Sequence, residues 1–359
     1  RIRNFYRNGQ NLSNTVSLSS TGDNGSFNLS LANMTSLGIV PNNEFRRNTI
    51  NLGFDYKLTR KLSITGYINY SYEKNENPPV IAEQDNSIPT ALNNLANSMP
   101  LHILDENKFD ENGNEFVYSR FRNRTNPYWV LSEVKRNVVR DRIFGNIAAK
   151  YDFTDWLSLQ GRIGQDFWSR EEDYTNFPTG HASRPPAPVG FVNGQYTQES
   201  RNFRELNADF LLRAYKEFGK IGLNASFGGN HMYRRFDDHS VQVTDFVVRD
   251  LYTVQNGRVK DPVYSRNERA VNSLYGSVEL SYSNILYLTG TLRNDWFSTL
   301  AEENRSIVYP SASASFVFSE LLPTSSFFNF GKLRLAVAEV GSDTDVPPYS
   351  NLLFYGINA

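Results

Sequence analysis

Apolar and polar residues alternate with period two, in blocks of about ten residues, along most of the chain. This is the pattern of β-strands with one apolar and one polar face. In Thr49–Lys57 the apolar set is Ile50, Leu52, Phe54 and Tyr56, with Asn51, Gly53 and Asp55 between them. Leu62–Tyr72, Leu157–Phe167, Glu205–Tyr215, Ile221–Tyr233, Leu274–Tyr282 and Leu286–Trp296 behave alike. Weaker blocks fall at Thr15–Ser20, Ser26–Leu31, Ile143–Tyr151, Ser311–Phe318 and Lys332–Val340. The reading is all-β, about 12 strands with no long amphipathic helix.

The connections between blocks alternate in length. Thr21–Gly25, Leu58–Lys61, Asp152–Trp156, Glu217–Lys220 and Ser283–Asn284 are short. Between them lie long ones, expected as extracellular loops at 33–48, 73–137, 169–203 and 234–270, with milder cases at Phe297–Val308 and Ser319–Gly331. Short on one side and long on the other fits an antiparallel up-and-down transmembrane β-barrel.

Periodicity alone does not say which face is inside. In the strong strands the apolar set carries no charge, while the opposite set holds Asp55, Arg162, Asp166, Asp209, Arg213, Glu279 and Arg293. Aromatic residues make up 14% of the chain, and Tyr56, Tyr70, Tyr72, Tyr151, Phe167, Tyr233, Tyr282 and Trp296 crowd the strand ends. Two interfacial girdles of a membrane barrel need that placement. We therefore expect the seven charged residues to line a polar lumen and the apolar set to face lipid.

Composition narrows the rest. With 37 Lys+Arg against 38 Asp+Glu, the formal net charge is −1, without the basic excess that nucleic acid requires. The absence of Cys excludes disulfide scaffolds and thiol chemistry. A mean hydropathy of −0.50 and the lack of a long apolar run leave no helical membrane span, which says nothing against strands. The chain starts Arg1-Ile2-Arg3, with no targeting signal to read, and stops inside a polar stretch, so it reads as part of something longer.

Candidate chemistry is sparse. His231 and His239 flank a charged stretch but lack the spacing of a metal site, and His231 shares its parity with the girdle residue Tyr233. Asp110-Glu111-Asn112-Gly113-Asn114-Glu115 resembles a calcium loop, but its ligand spacing does not continue, and a solvated turn fits better. No nucleophile elbow or phosphate loop is present, so neither an enzyme nor a cofactor is expected. In the longest connection Tyr118, Phe121, Tyr128 and Trp129 cluster with Arg120, Arg122, Arg124 and Asn126. They can stack and pair with a polar ligand such as a sugar, or pack the loop onto the barrel mouth.

Several segments resemble the SusC/RagA group of TonB-dependent outer-membrane transporters. They are Phe5-Tyr6-Arg7-Asn8-Gly9, Gly38-Ile39-Val40-Pro41-Asn42 with Arg46-Arg47-Asn48-Thr49, Asn126-Pro127-Tyr128, and Leu292-Arg293-Asn294-Asp295-Trp296-Phe297-Ser298. Tyr309-Pro310-Ser311-Ala312-Ser313 and Gly331-Lys332-Leu333-Arg334 follow in the group's order, whereas Ala336-Val337-Ala338-Glu339 and Ser342 depart from it. The resemblance implies a plugged barrel of about 22 strands in a Gram-negative outer membrane, with this chain as its middle part. It also implies energy from TonB through a plug outside the chain, a SusD-like surface lipoprotein as lid, and an oligosaccharide or peptide as nutrient. A glycan-binding propeller or sandwich that moves nothing, and a passive porin, are the competing readings.

Overall fold

The computed structural model describes residues 2–81, 86–119, 125–184, 187–322 and 330–343. Four strands open the chain: β1 (Gln10–Gly22), β2 (Gly25–Leu37), β3 (Glu44–Lys57) and β4 (Leu62–Glu76). Three short helices follow, α1 (Ile88–Asn93), α2 (Leu101–Glu106) and α3 (Pro127–Glu133). Then come β5 (Arg136–Thr154), β6 (Leu157–Ala182), β7 (Phe191–Phe218), β8 (Ile221–Phe246) and β9 (Gly257–Tyr282). The last three are β10 (Leu286–Phe297), β11 (Ser306–Phe316) and β12 (Leu333–Ala338). All 12 strands form one antiparallel sheet in chain order. With no second sheet stacked on it among the described residues, the sandwich and propeller readings fall away.

The short turns stand where the sequence places them. Ser283 and Asn284 both adopt positive φ, the mirror-image turn whose twist suits a tight hairpin, and Gly219 at φ +64° opens the β7–β8 turn. The long connections need correction. Those expected at 33–48, 169–203 and 234–270 shrink to 38–43, 183–190 and 247–256, because the strands run on into them. Arg170 faces Arg201, Glu172 faces Glu199, and Arg201 faces Asp238 in unbroken pairing. Backbone ladders need no apolar side chains, so pairing outlasts the alternation once a hairpin leaves the apolar layer. Only the expected loop at 73–137 survives nearly whole, as residues 77–135. The connections 298–305 and 317–332 lie at opposite ends of the sheet, because successive strands run antiparallel; the expectation of two milder long loops on one side is corrected.

Burial decides which face is inner. On the polar face Asn69 and Asp295 are 8% exposed and Ser273 3%, while on the apolar face Ile163 is 54%, Phe227 49% and Leu292 57% exposed. A water-soluble protein does the opposite. An inner polar face and an outer face solvated by hydrocarbon account for both.

The register also sets the strand tilt. The ladder row through Tyr56 passes Ile64, Ala149, Gly161, Phe210 and Gly229 and meets β9 at Leu274. Yet the lower aromatic of β9 is Tyr282, about 27 Å further along the strand, against about 29 Å across six strand spacings. The strands therefore cross this lower aromatic line at about 43°, within the tilt range of outer-membrane barrels.

Candidate functional site

The inner face carries the polar groups. Pairing puts Asp55, Arg162, Asp166, Asp209, Arg213, Glu279 and Arg293 on one and the same face. Arg162 Nε lies 2.7 Å from Asp209, and Asp166 takes two bonds from Arg142, at 2.9 and 2.6 Å. Arg293 donates to Asp295 at 2.8 Å and to Ser273 at 2.9 Å, and Glu279 accepts from the Thr289 hydroxyl at 3.3 Å. Asp55 faces Ser26 and Thr65, and Arg213 faces Ser158 and Ser226.

Sequence reasoning missed an ion-pair belt above these residues. Glu73 bridges Arg47 (2.8 Å) and Arg140 (3.2 Å). Glu172 holds Arg136 and Arg170; Arg170 reaches Glu199 (3.6 Å), and Glu199 and Asp238 share Arg201. The belt lies where apolar alternation has stopped, so its only sequence signal was the parity it shares with Asp166 and Asp209. Five arginines against four carboxylates make this part of the inner face hydrophilic without a large excess of one sign.

The outer face supplies the membrane fit. Outward positions of Leu62–Tyr70, Ile143–Tyr151, Leu157–Phe167, Ile221–Tyr233 and Leu286–Trp296 carry no Asp, Glu, Lys or Arg. Charge returns just above, at Lys74, Asp141, Glu171 and Arg235. His231 faces outward, 2.7 Å from Asn272 and in the ladder row of Trp296.

The long connection folds into a cap with its own core. Phe5, Val40, Ile88, Leu92, Trp129 and Val130 are buried together, and Tyr128 packs edge-on against Phe5 at 5.0 Å. Asn126 caps α3 by accepting from the Tyr128 N–H, and Pro127 starts the helix with φ already set. Trp129 has no exposed surface. It is therefore a core residue, which corrects its candidacy as a stacking plate. Tyr128 is half-buried, and burial raises its hydroxyl pKa. Tyr118 is half-buried, and Phe121 lies outside the described residues.

A buried polar cluster ties this cap to the end of β6. The Ala182 N–H donates to Glu115 at 2.9 Å, the Glu115 N–H donates to Gly180 O at 2.9 Å, and Arg184 reaches both Glu115 and Thr125. His181 sits edge-on to Trp129 (5.1 Å) and Phe177 (5.2 Å), its Nδ1 bonded to Ala182 O at 2.9 Å. Burial, then the Arg184 charge, holds its pKa down to about 3, so the ring is neutral. Burial raises the Glu115 carboxyl despite Arg184. Below, Asp110 accepts from the Asn112 and Asn114 N–H groups around Gly113 at φ +74°, the hydrogen-bonded turn expected there. Among the described residues no three His, Asp or Glu side chains converge as metal ligands.

No family model matches the chain. Two curated relatives do, both from Formosa agariphila. TonB-dependent receptor P3 is 23% identical over 350 residues, covering 95% of this chain and 34% of the relative. TonB-dependent receptor P26 is 21% identical over 345 residues, covering 93% and 33%. The chain thus spans about a third of the length of the curated relatives it matches. Among solved structures, the RagAB peptide importer in its closed-closed state superposes with a TM-score of 0.73 at 16% identity, over 97% of this chain and 38% of that one. The chain is similar along nearly its whole length to TonB-dependent receptors, in line with the SusC/RagA resemblance, and has the fold of a Gram-negative outer-membrane β-barrel. These relatives are receptors and a transporter, not enzymes.

Proposed function

We propose that this chain is barrel wall and extracellular cap of a TonB-dependent importer in the outer membrane, taking up peptides with a SusD-like surface lipoprotein as lid. The inverted sheet carries the reading: polar positions buried, apolar positions exposed, and a lower aromatic line crossed at the strand tilt of membrane barrels. Similarity to TonB-dependent receptors supports the energy source, likeness to a RagAB peptide importer supports the ligand class, and the lid is what the SusC/RagA resemblance implies. Oligosaccharide is the other nutrient the resemblance implies; of the rings in the cap Trp129 is enclosed and Tyr128 packs on Phe5, while Phe109 and Phe116 are exposed. The test is uptake of labelled peptides and oligosaccharides by cells carrying the full-length protein, with and without an inner-membrane potential. Peptide uptake that stops when the potential collapses is expected. Uptake that persists marks a passive porin, and uptake of oligosaccharide alone overturns the ligand class.

A further inference from the structure

We infer that a cavity under the cap binds the carboxyl-terminal residue of a peptide ligand, aliphatic side chain inward and carboxylate outward; this rests on the peptide reading above. The cavity has a volume of about 400 Å³, within the range of small-ligand sites. It lies between the β2–β3 connection, residues 77–81 after β4, the helices α1 and α3, and the start of β5.

Its wall is aliphatic. Pro79, Val80, Ile88, Val130 and Val134 line it from different segments. The aromatic ring among the described lining residues is that of Tyr174, and the Arg136 guanidinium lies over it at 5.7 Å. A sugar finds no free stacking plate here, whereas a Leu or Val side chain finds complementary surface.

One rim is charged. Lys135 is exposed and makes no ion pair among the described residues, while its neighbour Arg136 is held by Glu172. Thr175 exchanges hydrogen bonds with the Lys135 backbone, and beside it Asn176 accepts from the amide of Asn86. An ammonium with two carboxamides close by matches a terminal carboxylate and the peptide group before it. An internal peptide residue would leave the lysine unused, and a lipid tail would leave the amides unused.

The test uses the full-length protein with its lipoprotein and three probes: Ala-Ala-Ala-Leu, Ala-Ala-Ala-Ala, and Ala-Ala-Ala-Leu with an amidated end. Burial of the larger side chain should make the Leu peptide bind roughly 10- to 100-fold tighter than the Ala peptide. Amidation and Lys135→Gln should each weaken the Leu peptide by about tenfold, and their effects should not add. Val134→Trp, which fills the cavity, should abolish the preference for Leu while the Ala peptide still binds. Should that variant fail to fold, the three probes on the parent and on Lys135→Gln still decide. Equal binding of the Leu and Ala peptides by the parent, or no effect of Lys135→Gln, overturns the subsite while leaving peptide import standing. Binding of oligosaccharide and of no peptide overturns the functional reading as well.

Discussion

Phe227 and Ser226 are neighbours on β8 that face opposite media. Phe227 lies midway between the outward aromatic Tyr233 and the strand's lower end at Ile221. At a tilt of about 43° that places it about 15 Å below the upper line, at the centre of the apolar layer. Phe227→Arg should therefore destabilise the assembled barrel by about 2–4 kcal/mol. Ser226 faces inward, its hydroxyl 2.7 Å from that of Ser277. Ser226→Arg loses that bond but gains a wet surrounding, so it should cost about 1.5 kcal/mol or less. Phe227→Leu, which keeps the outer face apolar, serves as control. The assay is folding of the full-length protein into lipid vesicles across a urea series, read by the mobility shift of folded barrel in unheated gels. Equal costs for the two arginines, or a greater cost at Ser226, would refute the assignment of faces and with it the membrane reading.

Further expectations concern the cap and its sidedness. Trp129→Ala should destabilise the cap by about 3–5 kcal/mol, seen as faster protease cleavage within 101–133 while the barrel still assembles; unchanged cleavage would mean that the cap core is not what holds it. His181 is neutral with a pKa near 3, against about 6.5 when unfolded, so its contribution is full above pH 6.5 and falls as pH drops below it. At pH 5.5 the loss should be on the order of 1 kcal/mol, and Glu115, shifted the opposite way, should flatten the fall at lower pH. Hydrogen exchange in α3, corrected for intrinsic rates, should show this loss in the parent and not in His181→Gln; identical profiles would sink the assignment. Finally, a membrane-impermeant label on intact cells should modify cysteines introduced at Asn112 and Arg249 but not at Thr59 or Lys220, and the reverse pattern would invert the proposed orientation.

Much of this molecule was legible along the chain because a strand with two different media on its two sides must alternate. That requirement marked every one of the β-strands, their short turns, and the shared parity of Asp55, Arg162, Asp209 and Arg293. Alternation is symmetric, however: apolar-in and apolar-out read the same. Only the register and the burial it produces, with Ser273 hidden and Phe227 exposed, identified the inner face. The hairpins at 169–203 and 234–270 looked like loops because above the membrane neither face has to be apolar, and their pairing is a property of the backbone. The cap was the least legible part. Trp129, Glu115 and His181 meet only because the β6 ladder brings residues 180–184 beneath the helices. A tryptophan that stacks on a ligand and one that fills a core are the same letter in the sequence; what encloses it is decided by residues far along the chain, and so by the tertiary structure.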